Sequence, residues 1–180
     1  RPADANETAA AWAAILRNRR PAGLALSRQN LPVLERGSGA AGSVSGVAKG
    51  AYILRESSTS TPEVILIGTG SEVHLALAAR ETLEKAGIGT RVVSMPCQEW
   101  FTAQSAAYRE KVLPAAVKAR VSVEAGVPTG WREWVGDAGR VIGIDHFGAS
   151  AAGPVLFEKF GFTTEAVVKA AKASLKDARK

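Results

Sequence analysis

The sequence predicts an α/β fold: a doubly wound, mostly parallel sheet preceded by a helix and a strand that belong to a second α/β domain. Three observations lead there. Short, continuous apolar runs rich in β-branched residues recur at EVILIG, TRVVSMP, ARVSVEAG and RVIGID, the pattern of strands buried on both faces. Segments of helical character lie between them, and strands alternating with helices over about 130 residues require crossover connections. A Gly/Ser/Ala-rich stretch at 35–46, ERGSGAAGSVSG, has the composition of a linker and divides the chain into residues 1–45 and 46–180.

Taken in order, Asp4 and Glu7 stand at the spacing of a capping box before TAAAWAAILRNR, an Ala-rich helix with Trp12 and Leu16 on one face, ended by Pro21. GLALS then reads as a short buried strand. Beyond the linker, AYILRES is an edge strand, residues 57–62 are a polar turn, and EVILIG is a central strand. Residues 71–86 form a helix with Val73, Leu77 and Leu83 on one side. TRVVSMP, ARVSVEAG and RVIGID are further strands, separated by the short helices AYREKVLP, closed by Pro114, and WREWVGD. TTEAVVKAAKASLKDA is the last helix, capped by Thr163 or Thr164.

The 180 residues, 46% hydrophobic, suffice to bury a core. The net charge of +6 is spread among 17 acidic residues rather than gathered in a stripe, which argues against nucleic acid as a partner. The densest basic segments, Arg17 with Arg19 and Arg20 and the end KAAKASLKDARK, fall at helix C-termini, where cations oppose the dipole. One cysteine, Cys97, permits neither an internal disulfide nor a Cys-based zinc cage and suits a cytoplasmic setting. No apolar run nears the ~20 residues of a membrane-crossing helix. Beginning at Arg1-Pro2 inside a folded pattern, without Met, the chain reads as part of a longer one.

The turn Gly68-Thr69-Gly70-Ser71 follows a strand and opens a helix, where a dinucleotide's pyrophosphate could sit. Val73 stands where a third glycine would be, however, and a plain turn capped through Thr69 and Glu72 explains it equally. His74 and His146 have no partners at metal-ligand spacing. Ser150, His146 and Asp145 could be written as a triad, but no GxSxG elbow exists, and a structural role is the plainer reading of both histidines. Trp131 and Trp134, three apart, suit a core or an interface. Cys97, after Met95-Pro96, shows no sign of a reactive thiolate.

Arg28, in LALSRQNLP, differs from these. It stands beyond an apolar run, where open α/β sheets bind ligands, and its planar fork of donors suits phosphate oxygens, with Ser27, Gln29 and Asn30 beside it. The alternative is a structural ion pair with Asp4 or Glu7.

At RPADANE, LSRQNLP, VILIGTGSEV, RVVSMP, YREKVLP, SVEAG and IDHFGAS the chain resembles the C-terminal part of transketolases, along essentially its whole length. The resemblance implies an enzyme that moves a two-carbon ketol unit between sugar phosphates, using thiamine diphosphate and a divalent cation (Mg or Ca), as a cytoplasmic homodimer. It implies that residues 1–45 end a pyrimidine-binding domain and 46–180 form the C-terminal domain. It also implies that Arg28 binds the substrate's phosphate, and that catalytic, cofactor-binding and metal-binding residues lie in the remainder of the polypeptide, leaving this chain inactive alone. Departures from the family pattern occur at Cys97-Gln98 and Pro128-Thr129. A deoxyxylulose-phosphate synthase or an oxo-acid dehydrogenase subunit would share the domain, but LSRQNLP favours transketolase. A non-catalytic module binding a nucleotide or regulator at Gly68 to Ser71 is the competing class.

Overall fold

The computed structural model describes residues 1–36 and 42–180. The middle of the expected linker, 37–41, lies outside the described residues. Strand β2, Val64–Gly68, is central and fully buried, flanked in parallel by β3, Thr90–Ser94, and β4, Arg120–Val123. β5, Arg140–Ile142, continues parallel beyond β4. β1, Tyr52–Arg55, closes the opposite edge antiparallel to β3, so the sheet order is β1-β3-β2-β4-β5.

Two layers cover this sheet because its strands bury both sets of alternating side chains. Val64, Leu66, Val92, Val121 and Val123 face one layer, made by α2 (Val73–Lys85), α7 (Thr164–Ala178) and, at the β1 edge, α1 (Ala5–Asn18). Ile65, Ile67 and Val93 face the other, where α3 (Gln98–Thr102), α4 (Ala106–Val112) and α5 (Arg132–Val135) contribute Phe101, Val112, Trp134 and Val135. Helices on both faces and a reversal of strand order at β2 make the sheet doubly wound, as expected. Thr163 caps α7, accepting from the Ala166 amide at 3.2 Å. Arg17 and Lys176 lie in the last turns of α1 and α7.

Several expectations are corrected. GLALS forms no strand: Leu24 is half-buried, while Ala25 and Leu26 are exposed. A single strand cannot pair its own amides and carbonyls, and no strand lies beside it among the described residues. Helix α1 turns Glu7, Ala11 and Ala14 inward, whereas Trp12 and Leu16 are 52% and 70% exposed. Small alanines allow close approach, and the buried carboxylate of Glu7 fixes the helix's rotation. The end of the expected linker is ordered, with Val44–Lys49 forming a 3-10 turn capped by Ser43. Two helices went unread: α3, too short to show periodicity, and α6 (Gly153–Lys159), although Pro154 at its start is a recognisable signal.

Candidate functional site

The site grows from the first seven residues. Asp4 caps α1, its Oδ1 accepting from the Glu7 amide at 2.7 Å. Glu7 reaches back one residue further than a capping box requires, its Oε2 accepting from the Ala3 amide at 2.8 Å. Its other oxygen accepts from Tyr52 Oη and Ser94 Oγ, both at 2.7 Å. Arg36 donates to Tyr52 Oη at 2.6 Å and to both oxygens of Asp4 at 3.3 and 3.2 Å. Burial, and then the charge of Glu7, push the Tyr52 hydroxyl far above its usual range, so it remains a donor. The guanidinium that pairs with Asp4 and Glu7 therefore belongs to Arg36, and the structural alternative weighed for Arg28 is removed.

The second anchor is at the topological switch point. β3 lies on one side of β2 and β4 on the other, so a crevice opens beyond the carboxyl ends of β2 and β4, the place where open sheets bind ligands. Here Arg1 fills it. The Gly70 amide and Thr69 hydroxyl donate to the Arg1 carbonyl at 3.0 and 3.2 Å. The Arg1 guanidinium bridges Glu72 at 3.1 Å and Glu124 at 3.0 Å. Gly70 has φ +58°, and a Cβ there would come within 3.1 Å of the guanidinium. A Cβ on Gly68 would meet the Val73 backbone at 2.8 Å. Both glycines are thus explained by the chain's own packing, and the site suggested for a nucleotide or regulator is occupied by Arg1. The expected Thr69 cap does not form; the Thr69 hydroxyl serves Arg1 instead.

Arg28 is exposed and, among the described residues, makes no hydrogen bond or ion pair. It lines a cavity of about 500 Å³ together with Ser27, Gln29, Glu72, Glu124 and Phe157. The strand expected to carry it is absent, yet the same rule holds with another sheet: residues 25–29 lie over the carboxyl ends of β2 and β4. A free, rigid fork of donors at the rim of such a cavity can grip a tetrahedral oxyanion through two parallel hydrogen bonds.

The remaining candidates are structural. His74 Nε2 lies 3.2 Å from the Ala3 carbonyl. His146 pairs with the Phe147 carbonyl at 2.8 Å and stacks edge-on against Phe160, without bonding Asp145 or Ser150. Burial raises the Cys97 thiol, which donates to Glu99. Trp131 is buried and donates to Glu124 Oε2 at 2.7 Å, while Trp134 donates to Gln98. Sequence reasoning missed Arg1, Glu72, Glu124 and Arg36. The spacing of strand ends could have indicated the two glutamates, since each is within four residues of a strand's close at the switch point.

Comparison with known proteins identifies the family. Residues 50–163 match the family model of the transketolase-like C-terminal domain. The chain is 52% identical over 181 residues to a transketolase of Mycobacterium leprae, covering 97% of this chain and 25% of that one. It is 53% identical over 174 residues to a chloroplastic transketolase of Solanum tuberosum, covering 96% and 23%. Among solved structures, a transketolase of Leishmania mexicana superposes with a TM-score of 0.85 at 43% identity over 98% of this chain and 25% of the other. A Pichia stipitis transketolase in complex with sedoheptulose-7-phosphate gives 0.82 at 39% identity, over 97% and 24%. The chain spans about a quarter of the length of these relatives. It belongs to the transketolase family and carries that family's C-terminal domain.

Proposed function

We propose that this chain works as the C-terminal quarter of a transketolase, a transferase of two-carbon ketol units between sugar phosphates, and that Arg28 grips the phosphate of the substrate. Residues 1–45 end its pyrimidine-binding domain and 46–180 form its C-terminal domain. The observation that carries the reading is the state of Arg28: exposed at a cavity mouth, with Asp4 and Glu7 already held by Arg36. Relatives from Pichia stipitis in complex with sedoheptulose-7-phosphate and fructose-6-phosphate support sugar phosphates as the substrate class. Thiamine diphosphate and a Mg or Ca ion belong to the same reading, as do a homodimer and a cytoplasmic setting, the last supported by the bacterial relatives and the single cysteine. Among the described residues no group of three or more His, Cys, Asp or Glu could hold a metal, and no helix is long and apolar enough to cross a membrane. On this reading, which rests on the resemblance to transketolases, the cofactor and its ion are held by the remainder of the polypeptide, and this chain's chemistry is phosphate recognition.

A charge-assisted hydrogen bond contributes about 1.5–3 kcal/mol. Arg28→Ala in the complete enzyme should therefore lower the ratio of kcat/KM for a phosphorylated ketose to that for an unphosphorylated one by ~10- to 150-fold. An equal loss on both ketoses would show that Arg28 does not read the phosphate.

A further inference from the structure

The cavity that Arg28 lines holds two carboxylates, Glu72 and Glu124, and one other cation, Arg1. A free carboxylate near a phosphate-binding guanidinium is harmful twice over. It competes for the fork of donors, and it repels the incoming anion. Neither effect arises here, because Arg1 holds both acids. Its Nη2 lies 3.1 Å from Glu72 Oε2 and its Nη1 lies 3.0 Å from Glu124 Oε1. The remaining oxygen of Glu124 accepts from the buried Trp131 indole at 2.7 Å, and Ser71 Oγ donates to Glu72 at 3.0 Å. Every acidic oxygen lining the cavity thus has a partner other than Arg28.

The arrangement is built rather than incidental. The Glu72 side chain is 1% exposed, and burial pushes its carboxyl up from its ordinary range against the opposing pull of Arg1. The turn that receives Arg1 needs glycine at position 70, both for its φ of +58° and for the space the guanidinium takes. With Arg1 in place, the four charged side chains lining the cavity balance; without it the cavity carries a net negative charge even with Arg28 counted.

We propose that Arg1 is a positioning residue for phosphate recognition: by clamping Glu72 and Glu124 at the switch point of the sheet, it leaves Arg28 free and removes the negative charge that a phosphate would otherwise meet. This rests on the reading of Arg28 given above. Arg1 need not touch the substrate; it acts through the two acids.

The test uses the complete enzyme with fructose-6-phosphate and fructose as donors, and reads the ratio of their kcat/KM values. Arg1→Met should lower the ratio at least about threefold, through a rise in KM for the phosphorylated donor. Adding Glu124→Gln to Arg1→Met should restore it, since the neutral amide still accepts from Trp131. Glu124→Gln alone should raise the ratio about twofold or more, because it removes a negative charge from the phosphate's cavity. A purely structural clamp would change both donors equally and show no rescue, which would overturn the proposal. If Arg1→Met does not fold, Glu124→Gln decides alone: a ratio at or below the parent's overturns the proposal. Arg28→Ala run in parallel separates the two ideas. A ratio unmoved by Arg28→Ala removes the phosphate reading and this inference with it. A ratio collapsed by Arg28→Ala but insensitive to Arg1→Met and Glu124→Gln removes only the inference.

Discussion

Tyr52 links Glu7 on α1 to Arg36 through one hydroxyl, which donates to Glu7 and accepts from Arg36. Asp4, Glu7 and Arg36 are polar groups withdrawn from water, so each depends on the hydrogen bonds it does make. Tyr52→Phe keeps the ring but leaves Glu7 and Arg36 each one partner short. The expected cost is about 1–3 kcal/mol, seen as a lower urea midpoint with unchanged slope. A midpoint equal to the parent's would mean that water replaces the hydroxyl. At this scale the sequence was partly legible. The Asp4 cap follows from spacing alone, because a cap is a local interaction. The pairing of Asp4 with Arg36, thirty-two residues on, is set by the packing of α1 against the β1 edge, and no local pattern encodes it. Arg28 was legible as a candidate through its chemistry, whereas the two-acid clamp of Arg1 required the strand order.

At the scale of elements, the strands were the clearest feature, because burial on both faces leaves an unbroken apolar run such as Val64–Gly68. Of the short helices, α4 and α5 were read in AYREKVLP and WREWVGD, but α3 and α6 were not. Five residues of α3 and seven of α6 hold too few turns to display a face. The strand expected at GLALS failed for another reason: among the described residues no strand lies beside it to pair its amides and carbonyls. The last helix carries a pH-sensitive join to the sheet. Asp177 on α7 pairs with Arg140 at the start of β5 and with Lys180. Hydrogen bonds from Lys180 and Arg140 hold its carboxyl below the usual 3.8. A carboxyl lowered in the folded state adds stability above its unfolded pKa and loses it as pH falls through the folded value. Asp177→Asn should therefore weaken hydrogen-exchange protection at the end of α7 near neutral pH, and the difference from the parent should close in acid. A difference that persisted below the folded pKa would point to packing rather than charge.

For the molecule as a whole, the sheet domain and residues 1–36 are interlocked at two points: the Tyr52–Glu7–Arg36 network at one edge and the Arg1 clamp at the switch point. Between them, residues 25–29 pass over the carboxyl ends of the strands, carrying Arg28. A sheet architecture that commonly binds a ligand in its crevice instead uses that crevice to seat the neighbouring segment, and the proposed phosphate recognition falls to Arg28, at the rim of the cavity between that segment and the strand ends. The exposed Trp12, Leu16 and Leu26 lie on the same segment, consistent with a chain that spans a quarter of its relatives' length. The most direct measurement is a crystal structure of the complete enzyme with a ketose phosphate bound. The expected result is a phosphate oxygen about 2.7–2.9 Å from the Arg28 guanidinium, with Arg1 still bridging Glu72 and Glu124. A phosphate held elsewhere, with Arg28 turned to a carboxylate or to solvent, would contradict it.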